Sequence, residues 1–180
     1  SRSQLVFRHV SASSTMGDSW DYTIQEWLVD EGNCFAGGMA QEADGAFYAA
    51  APVDGEAGWG FIYSDPHEQQ ITKEDGDGTE PLQINEAAAL LSVATTGSAP
   101  KGGLWLAKTK YTVTQRDMAM ESGDYTFKYA FGTKPKGGVH IIKTTNQIVC
   151  GFYSEEKGQN AGNAKKAVLA FAEYLMSIGY

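Results

Sequence analysis

Apolar residues recur at helical spacing near both ends of the chain. The first stripe, at positions i, i+4, i+7 and i+8, consists of Trp20, Ile24, Trp27 and Leu28. It predicts an amphipathic helix that ends at Gly32. The second stripe, at spacings of three and four, consists of Ala164, Val168, Phe171, Leu175 and Ile178. It predicts a C-terminal helix whose N-cap is Asn160 or Asn163.

Short apolar and β-branched runs fill most of the chain between these helices. They predict strands near 34–40, 46–51, 104–106, 111–113, 125–131, 139–143 and 148–153. A third helix is expected after Asn85 and before Gly97. Because tight turns join most of the strands, we expect an antiparallel sheet covered by helices, which is an α+β fold.

The domain organisation is expected to be simple. Residues 1–16 have no apolar period and are expected to form a disordered tail or an extension. Residues 17–180 are expected to form a single domain. An acidic, irregular insert around 53–81 carries many turn formers and carboxylates, so it is expected to be a solvated loop or a small excursion from the core.

Composition excludes several classes of function. The chain of 180 residues has a formal net charge of −8, which argues against sequence-independent nucleic-acid binding because such binding needs an excess of Lys and Arg. No apolar run is long enough to predict a transmembrane helix. Cys34 and Cys150 lie in apolar strand runs, so they are expected to be free core cysteines in a reducing cytosol.

The sequence contains no recognisable catalytic or metal-binding constellation. A zinc-helix pattern begins at His67, but Ile71 stands where the second histidine ligand should be. A calcium-loop spacing begins at Asp75, but Glu80 replaces the glycine that the loop requires. We therefore expect a protein that is not an enzyme and that holds neither a cofactor nor a metal.

Aromatic residues are concentrated near the two predicted terminal helices. Trp20, Tyr22 and Trp27 belong to the first helix, and Tyr174 and Tyr180 lie near the end of the last. If the two helices lie side by side, these rings form the kind of groove that docks polyproline II segments. The alternative interpretation is that the two tryptophans simply pack the core.

Two segments of the chain resemble the profilin family. They are SWDYTIQEWLVDEG near the start and KGGVHIIKTTNQIVCGFYSEEKGQNAGNAKKAVLAFAEYLMSIGY at the end. The first segment with its following AGG, the INEA helix, GSAP, EEKGQN and LAFAEYL are most similar to the apicomplexan branch of that family. The resemblance implies a central antiparallel sheet of about six or seven strands, with the N- and C-terminal helices on one face and a further helix on the other.

The resemblance also implies a function and its residues. Profilins bind actin monomers, regulate actin polymerisation and bind proline-rich segments of nucleation factors. The implied polyproline-binding residues are Trp20, Tyr22, Tyr48, Tyr174 and Tyr180. The implied actin-binding residues are Lys134, Asn160, Gly162, Lys165 and Lys166.

Partners and location follow from the same resemblance. We expect a cytoplasmic, cytoskeleton-associated monomer that binds monomeric actin and proline-rich proteins such as formins. Phosphoinositide binding is expected to be weak and salt-sensitive because the chain is acidic overall. The alternative role is that of a secreted or released parasite ligand, recognised by a host innate immune receptor.

Overall fold

The structure, a computed structural model, describes residues 16–180. Residues 1–15, most of the predicted tail, lie outside the described residues. The described helices are α1 (Met16–Ile24), α2 (Ala57–Ile62), α3 (Glu86–Thr96) and α4 (Ala161–Ser177). The described strands are β1 (Ala36–Gln41), β2 (Phe47–Ala51), β3 (His67–Thr72), β4 (Thr79–Ile84), β5 (Leu104–Leu106), β6 (Thr109–Ser122), β7 (Tyr125–Lys134), β8 (Gly137–Lys143) and β9 (Gln147–Ser154). Helix α1 continues into a π-helical turn at Gln25–Val29.

Seven strands form one antiparallel sheet in the order β2-β1-β9-β8-β7-β6-β5. Alternate residues of β9 show how the sheet divides the core. Val149 and Tyr153 pack with α1 and α4, whereas Cys150 and Phe152 pack with α2 and α3 on the opposite face. The predicted α+β class and the placement of the terminal helices on one face are confirmed.

Glycines in β1 and β9 allow the terminal helices to lie close to the sheet. A Cβ atom on Gly37 would stand 2.6 Å from Leu28 Cδ1, and a Cβ on Gly151 would overlap Val168 Cγ2. Neither space could hold a Cβ atom unless the side chain of Leu28 or Val168 shifted. These two positions therefore set how closely α1 and α4 approach the sheet.

Asparagine side chains begin two of the helices. Asn85 Oδ1 accepts a hydrogen bond from the Ala88 N–H at 3.0 Å, and Asn160 Oδ1 accepts from the Asn163 N–H at 2.8 Å. Each bond satisfies one amide that the first turn of a helix leaves unpaired. Asn160, rather than Asn163, is the cap of α4.

Helix α1 also covers the edge of the sheet. Asp21 Oδ1 accepts from the Ala50 N–H at 2.8 Å, and Gln25 Oε1 accepts from the Val53 N–H at 2.9 Å. Strand β2 is the outermost strand on this side, so these side chains occupy donors that could otherwise pair with another chain. The same bonds fix α1 beside β2.

The insert contains regular structure that the sequence did not indicate. Strands β3 and β4 form a separate antiparallel hairpin within it, with Ile71 and Ile84 buried. Most other residues of the two strands are polar, and Pro81 lies in β4 opposite Gln70. The apolar alternation is too weak to indicate strands, because half of the residues on the packing face are polar. These polar residues are His67, Gln69 and Glu80.

Glu86 attaches this hairpin to the rest of the domain. Its buried carboxylate accepts from the N–H groups of Ser64, Ala107 and Lys108 at 2.8–2.9 Å, and it lies 2.8 Å from His67 Nε2. A buried carboxylate with four hydrogen-bonding partners is strongly favoured over an unpaired one. Glu86 therefore joins three separated segments at the start of α3.

Strand β6 is much longer than the predicted run at 111–113. It spans Thr109–Ser122 and pairs with β7 through two irregularities in register. Most of its residues are exposed, and the apolar alternation that starts at Tyr111 and Val113 is interrupted by the polar residues 114–117, so the sequence does not indicate the rest of the strand. Its neighbour β7 supplies the pairing partner that the sequence alone did not assign.

Candidate functional site

An open cavity of about 420 Å³ lies where α1, the β1–β2 hairpin, the β8–β9 turn and the end of the chain meet. Trp20 and Tyr180 form one side, with their ring centroids 4.8 Å apart at an interplanar angle of 71°. We call this cavity the aromatic groove; it is lined by Trp20, Gln41, Glu42, Ala43, Tyr48, Asn146, Gln147 and Tyr180. Its walls combine apolar ring faces with polar side chains, and it is open to solvent.

Hydrogen bonds of the main chain hold Tyr180 in the groove. Its N–H donates to the Leu175 carbonyl at 2.8 Å. Its main-chain oxygen accepts from Thr144 Oγ1 at 2.9 Å and from the Asn146 N–H at 3.1 Å. The ring position is therefore set by the β8–β9 turn as well as by α4.

Tyr48, on β2, also lines the groove. Its hydroxyl donates to Gln147 Oε1 in a short hydrogen bond. Burial raises the pKa of Tyr48 well above its ordinary value, and the neighbouring Tyr180 raises the pKa further. Tyr48 is therefore a neutral phenol at physiological pH, and its ring packs against the core that α1 and α4 cover.

Tyr174 does not line this cavity. Its ring stacks on Trp27 with centroids 5.1 Å apart, and Trp27 stacks in turn on Phe171 at 6.0 Å. This aromatic stack joins α4 to the π-helical turn after α1 and packs on the core beneath the helices. It supports the helix pair from which the groove is built.

Tyr22 lies away from the groove as well. It is 51% exposed and lines a separate pocket of about 180 Å³ together with Asp21, Ala50, Val53, Glu56 and Trp59. Two residues along an α-helix turn the side chain about 200° from Trp20, so the two rings cannot share a wall. Of the five predicted groove residues, the structure brings together Trp20, Tyr48 and Tyr180.

The predicted actin-binding residues cluster at the other end of α4. Asn160, Gly162 and Lys166 are exposed around its first turns, and Lys134 is half-buried at the end of β7. Lys165 Nζ lies 4.7 Å from the centroid of the Tyr129 ring, a favourable cation–π contact. We call this surface the basic face; it consists of Lys134, Asn160, Gly162, Lys165 and Lys166.

A buried histidine supports the basic face from below. His140 Nε2 lies 2.9 Å from the Ala161 carbonyl oxygen, and its Nδ1 lies 2.9 Å from the Tyr129 hydroxyl. Its ring stacks on Phe131 with centroids 4.6 Å apart. A neutral imidazole satisfies both contacts when Nε2–H donates to Ala161 and Nδ1 accepts from Tyr129.

The environment of His140 favours that neutral form. Burial lowers the pKa of His140 to about 4, against the hydrogen bond to the Ala161 carbonyl that raises it, and the charge of Lys165 adds to the lowering. Sequence analysis gave His140 no role, because nothing in the local pattern places it beneath the first turn of α4. It is a positioning residue for the basic face.

The described residues show no group of three or more His, Cys, Asp or Glu side chains that could hold a metal ion.

Burial raises the pKa of the Cys34 thiol to about 12 and raises the pKa of the Cys150 thiol as well. The two cysteines belong to opposite faces of the sheet.

None of the helices in the described part of the chain is both long and apolar enough to cross a membrane.

Comparison with known proteins gives a consistent result. A family model described as Profilin matches residues 18–180. The chain is 34% identical to Profilin of Plasmodium falciparum over 163 residues, which are 87% of this chain and 94% of that protein. It is 33% identical to Profilin of Plasmodium berghei over 164 residues, which are 88% of this chain and 93% of that protein.

Among solved structures, Acanthamoeba castellanii profilin II has a TM-score of 0.62 at 22% identity, covering 89% of this chain and 99% of its own. Mouse profilin IIa, solved in complex with a double repeat from the FH1 domain of mDia1, has a TM-score of 0.53 at 15% identity and covers 87% and 99%. The match to the family model over nearly all described residues, together with the identity to the Plasmodium proteins, shows that this chain belongs to the profilin family.

Proposed function

We propose that this chain is a non-catalytic, cytoplasmic protein that binds monomeric actin through the basic face and proline-rich segments through the aromatic groove. The observation that carries the proposal is the open groove formed by Trp20, Tyr48 and Tyr180 at one end of α4. A rigid aromatic wall of this kind fits an extended, apolar ligand. By holding actin monomers, the protein would regulate actin polymerisation.

The chemistry of the groove suits a polyproline II segment. Such a segment is already extended, so little conformational entropy is lost when its rings pack on aromatic faces. Its carbonyl groups accept hydrogen bonds, and the groove offers polar side chains beside the rings. The mouse family member solved with an FH1 repeat supports a proline-rich partner for this chain, such as the corresponding region of a formin.

The chemistry of the basic face suits an acidic protein partner. The chain carries a net charge of −8, yet three of the five residues of this face are lysines. Actin is acidic, so a local basic surface orients the encounter while the rest of the chain repels it. Lys165 packs over the Tyr129 ring, which restricts its side chain before the partner binds, so less conformational entropy is lost on binding.

The two surfaces are separated enough to act together. Helix α4 has 17 residues and carries the basic face at its start and Tyr180 just beyond its end, a span of about 25 Å. One chain can therefore hold actin and a proline-rich segment at once. Such a ternary complex raises the local concentration of actin near the protein that carries the proline-rich segment.

The experiment compares two variants in two assays, suppression of pyrene-actin polymerisation and titration with oligoproline. We expect Tyr180→Ala to weaken oligoproline binding by about tenfold and to leave actin binding within about twofold, because only the ring is lost. We expect Lys166→Glu to weaken actin binding by about fivefold with oligoproline binding unchanged.

Lys73→Glu is the matched control, since Lys73 is an exposed lysine in the turn of the β3–β4 hairpin. That hairpin is attached to α3, on the opposite face of the sheet from α4. The control variant should alter neither activity. Loss of both activities in either test variant would contradict two separate surfaces. A wild-type chain that binds neither actin nor oligoproline would overturn the proposed function altogether.

The alternative role as a ligand of a host receptor gains no support from the site or from the relatives, and it is not proposed.

A further inference from the structure

The carboxamide of Gln147 lies in the wall of the aromatic groove beside Tyr48. Two hydrogen bonds to Thr144 close the β8–β9 turn and hold the main chain at Gln147. The Gln147 N–H donates to Thr144 Oγ1 at 3.1 Å, and the Gln147 carbonyl accepts from the Thr144 N–H at 2.9 Å. Its Oε1 accepts the hydrogen bond from the Tyr48 hydroxyl. The side chain is therefore fixed at its base and at its oxygen.

The count of hydrogen-bond donors then determines what this wall can offer a ligand. A tyrosine hydroxyl has one hydrogen, and Tyr48 uses it on Gln147. A glutamine carboxamide has two further donors on Nε2. A proline ring has no N–H, so a proline-rich ligand presents carbonyl acceptors and needs donors from the groove. Nε2 of Gln147 carries such donors beside Tyr48.

The other amide side chains of the groove are held differently. The Asn146 amide Nδ2 donates one of its two hydrogens to the Gly179 carbonyl at 3.3 Å, which attaches the chain end. Gln41 pairs directly with Gln147 in the register of β1 and β9 and also lines the groove, yet its side chain makes no hydrogen bond to Tyr48 in the described residues. Gln147 is therefore the groove amide whose donors are held in place by Tyr48.

We infer that Gln147 donates a hydrogen bond from Nε2 to a main-chain carbonyl of the bound proline-rich segment, while Tyr48 contributes its ring face alone. This inference rests on the proposed function of the groove. It makes Gln147 a ligand-binding residue that determines which carbonyl of the proline run is aligned with Tyr48.

Four variants test the assignment by calorimetric titration with neutral oligoproline. Gln147→Glu keeps an acceptor for Tyr48 but has no N–H donor, and Gln147→Leu removes both. We expect each to weaken binding by about two- to tenfold, the usual worth of one net hydrogen bond. Tyr48→Phe removes the bond that fixes the carboxamide but leaves the donor, so it should weaken binding less than Gln147→Leu does. Gln115→Leu is the control, because Gln115 is an exposed glutamine on β6 that does not line the groove; it should change binding by less than about twofold.

A direct measurement complements these titrations. In ¹⁵N-labelled wild-type protein, the side-chain amide resonances of Gln147 should shift on addition of oligoproline, and those of Gln115, outside the groove, should shift much less. Thermal unfolding of Gln147→Glu should match the wild type, which separates loss of a ligand contact from loss of fold.

Two results would overturn the assignment while leaving the proposed function intact. One is wild-type affinity in Gln147→Glu, which would make Gln147 a support for the Tyr48 ring. The other is a large loss in Tyr48→Phe with none in Gln147→Leu, which would make the Tyr48 hydroxyl the donor. A wild-type chain that does not bind oligoproline would instead overturn the proposed function, and the role of Gln147 with it.

Discussion

The two ends of α4 carry surfaces that are built in opposite ways. The aromatic groove takes its residues from α1, β2, the β8–β9 turn and the end of the chain, and its principal groups are uncharged. The basic face takes four of its five residues from one helix start and depends on the charge of lysines. Loss of one ring is therefore expected to reduce the affinity of the aromatic groove for its ligand strongly. The affinity of the basic face for its partner is expected to change gradually with its net charge and with salt concentration.

The largest effect is expected for Trp20→Ala. Its ring contacts Tyr180 at 4.8 Å and forms one side of the groove, so removal opens the site on that side. Loss of a central aromatic contact typically costs about 2–3 kcal/mol, and we expect oligoproline affinity to fall by about 30- to 150-fold. Calorimetric titration measures this, with suppression of pyrene-actin polymerisation unchanged.

Tyr22→Ala is the control for this variant, because Tyr22 belongs to the same helix but lines a different pocket. Its oligoproline affinity should stay within about twofold of the wild type. If Tyr22→Ala reduced oligoproline affinity as much as Trp20→Ala, the two pockets would not be functionally separate.

The next effect concerns His140 beneath the basic face. Its pKa is lowered from the ordinary 6.5 to about 4. Between pH 6.5 and pH 4, His140 is therefore protonated in the unfolded chain and neutral in the folded chain. The stability that the neutral ring contributes is present above pH 6.5 and is lost as the pH falls toward 4. Between pH 8 and pH 5, His140 should lower the free energy of unfolding by about 2 kcal/mol.

Denaturant unfolding at both pH values measures this change. Other groups titrate in the same range, so the comparison is with His140→Gln, which keeps an amide donor for Ala161 and has no titrating group. The variant should lose less stability between pH 8 and pH 5 than the wild type. Equal losses in the two proteins would show that His140 is not the source.

The smallest effect separates the two surfaces by salt. Raising NaCl from about 50 mM to about 300 mM screens exposed charges, and we expect actin affinity to fall by about threefold. Oligoproline affinity should change by less than about 1.5-fold, because the ligand and the rings of the groove are neutral. Sedimentation with actin and titration with oligoproline measure the two responses; equal salt dependence would contradict the contrast between the surfaces.

Much of the fold was predictable because the residues that form it are close in sequence. The apolar stripe of α4 and the cap at Asn160 follow from helical spacing alone, and the β8–β9 pair follows from β-branched runs around a polar turn. The β3–β4 hairpin was not predictable, because its polar strands are stabilised by Glu86, which binds segments on both sides of it. The length of β6 likewise depends on pairing with β7.

The candidate site divides in the same way. Sequence and family resemblance name Trp20, Tyr48 and Tyr180, which the structure brings together, and also Tyr22 and Tyr174, which it places elsewhere. Whether a ring lines a groove depends on the direction in which its side chain leaves the helix and on the residues that pack beside it. The identities of the aromatic residues give neither piece of information.

What the sequence determined by itself was therefore local: the helices and most strands, the acidic balance, and the aromatic residues near the chain ends. The tertiary structure alone decided which of those aromatics share a cavity, that Gln147 holds the Tyr48 hydroxyl, and that His140 lies buried beneath α4. The physical reason is that helix and strand periods repeat over a few residues, whereas these contacts join positions far apart in the chain, and only the packed fold makes them neighbours.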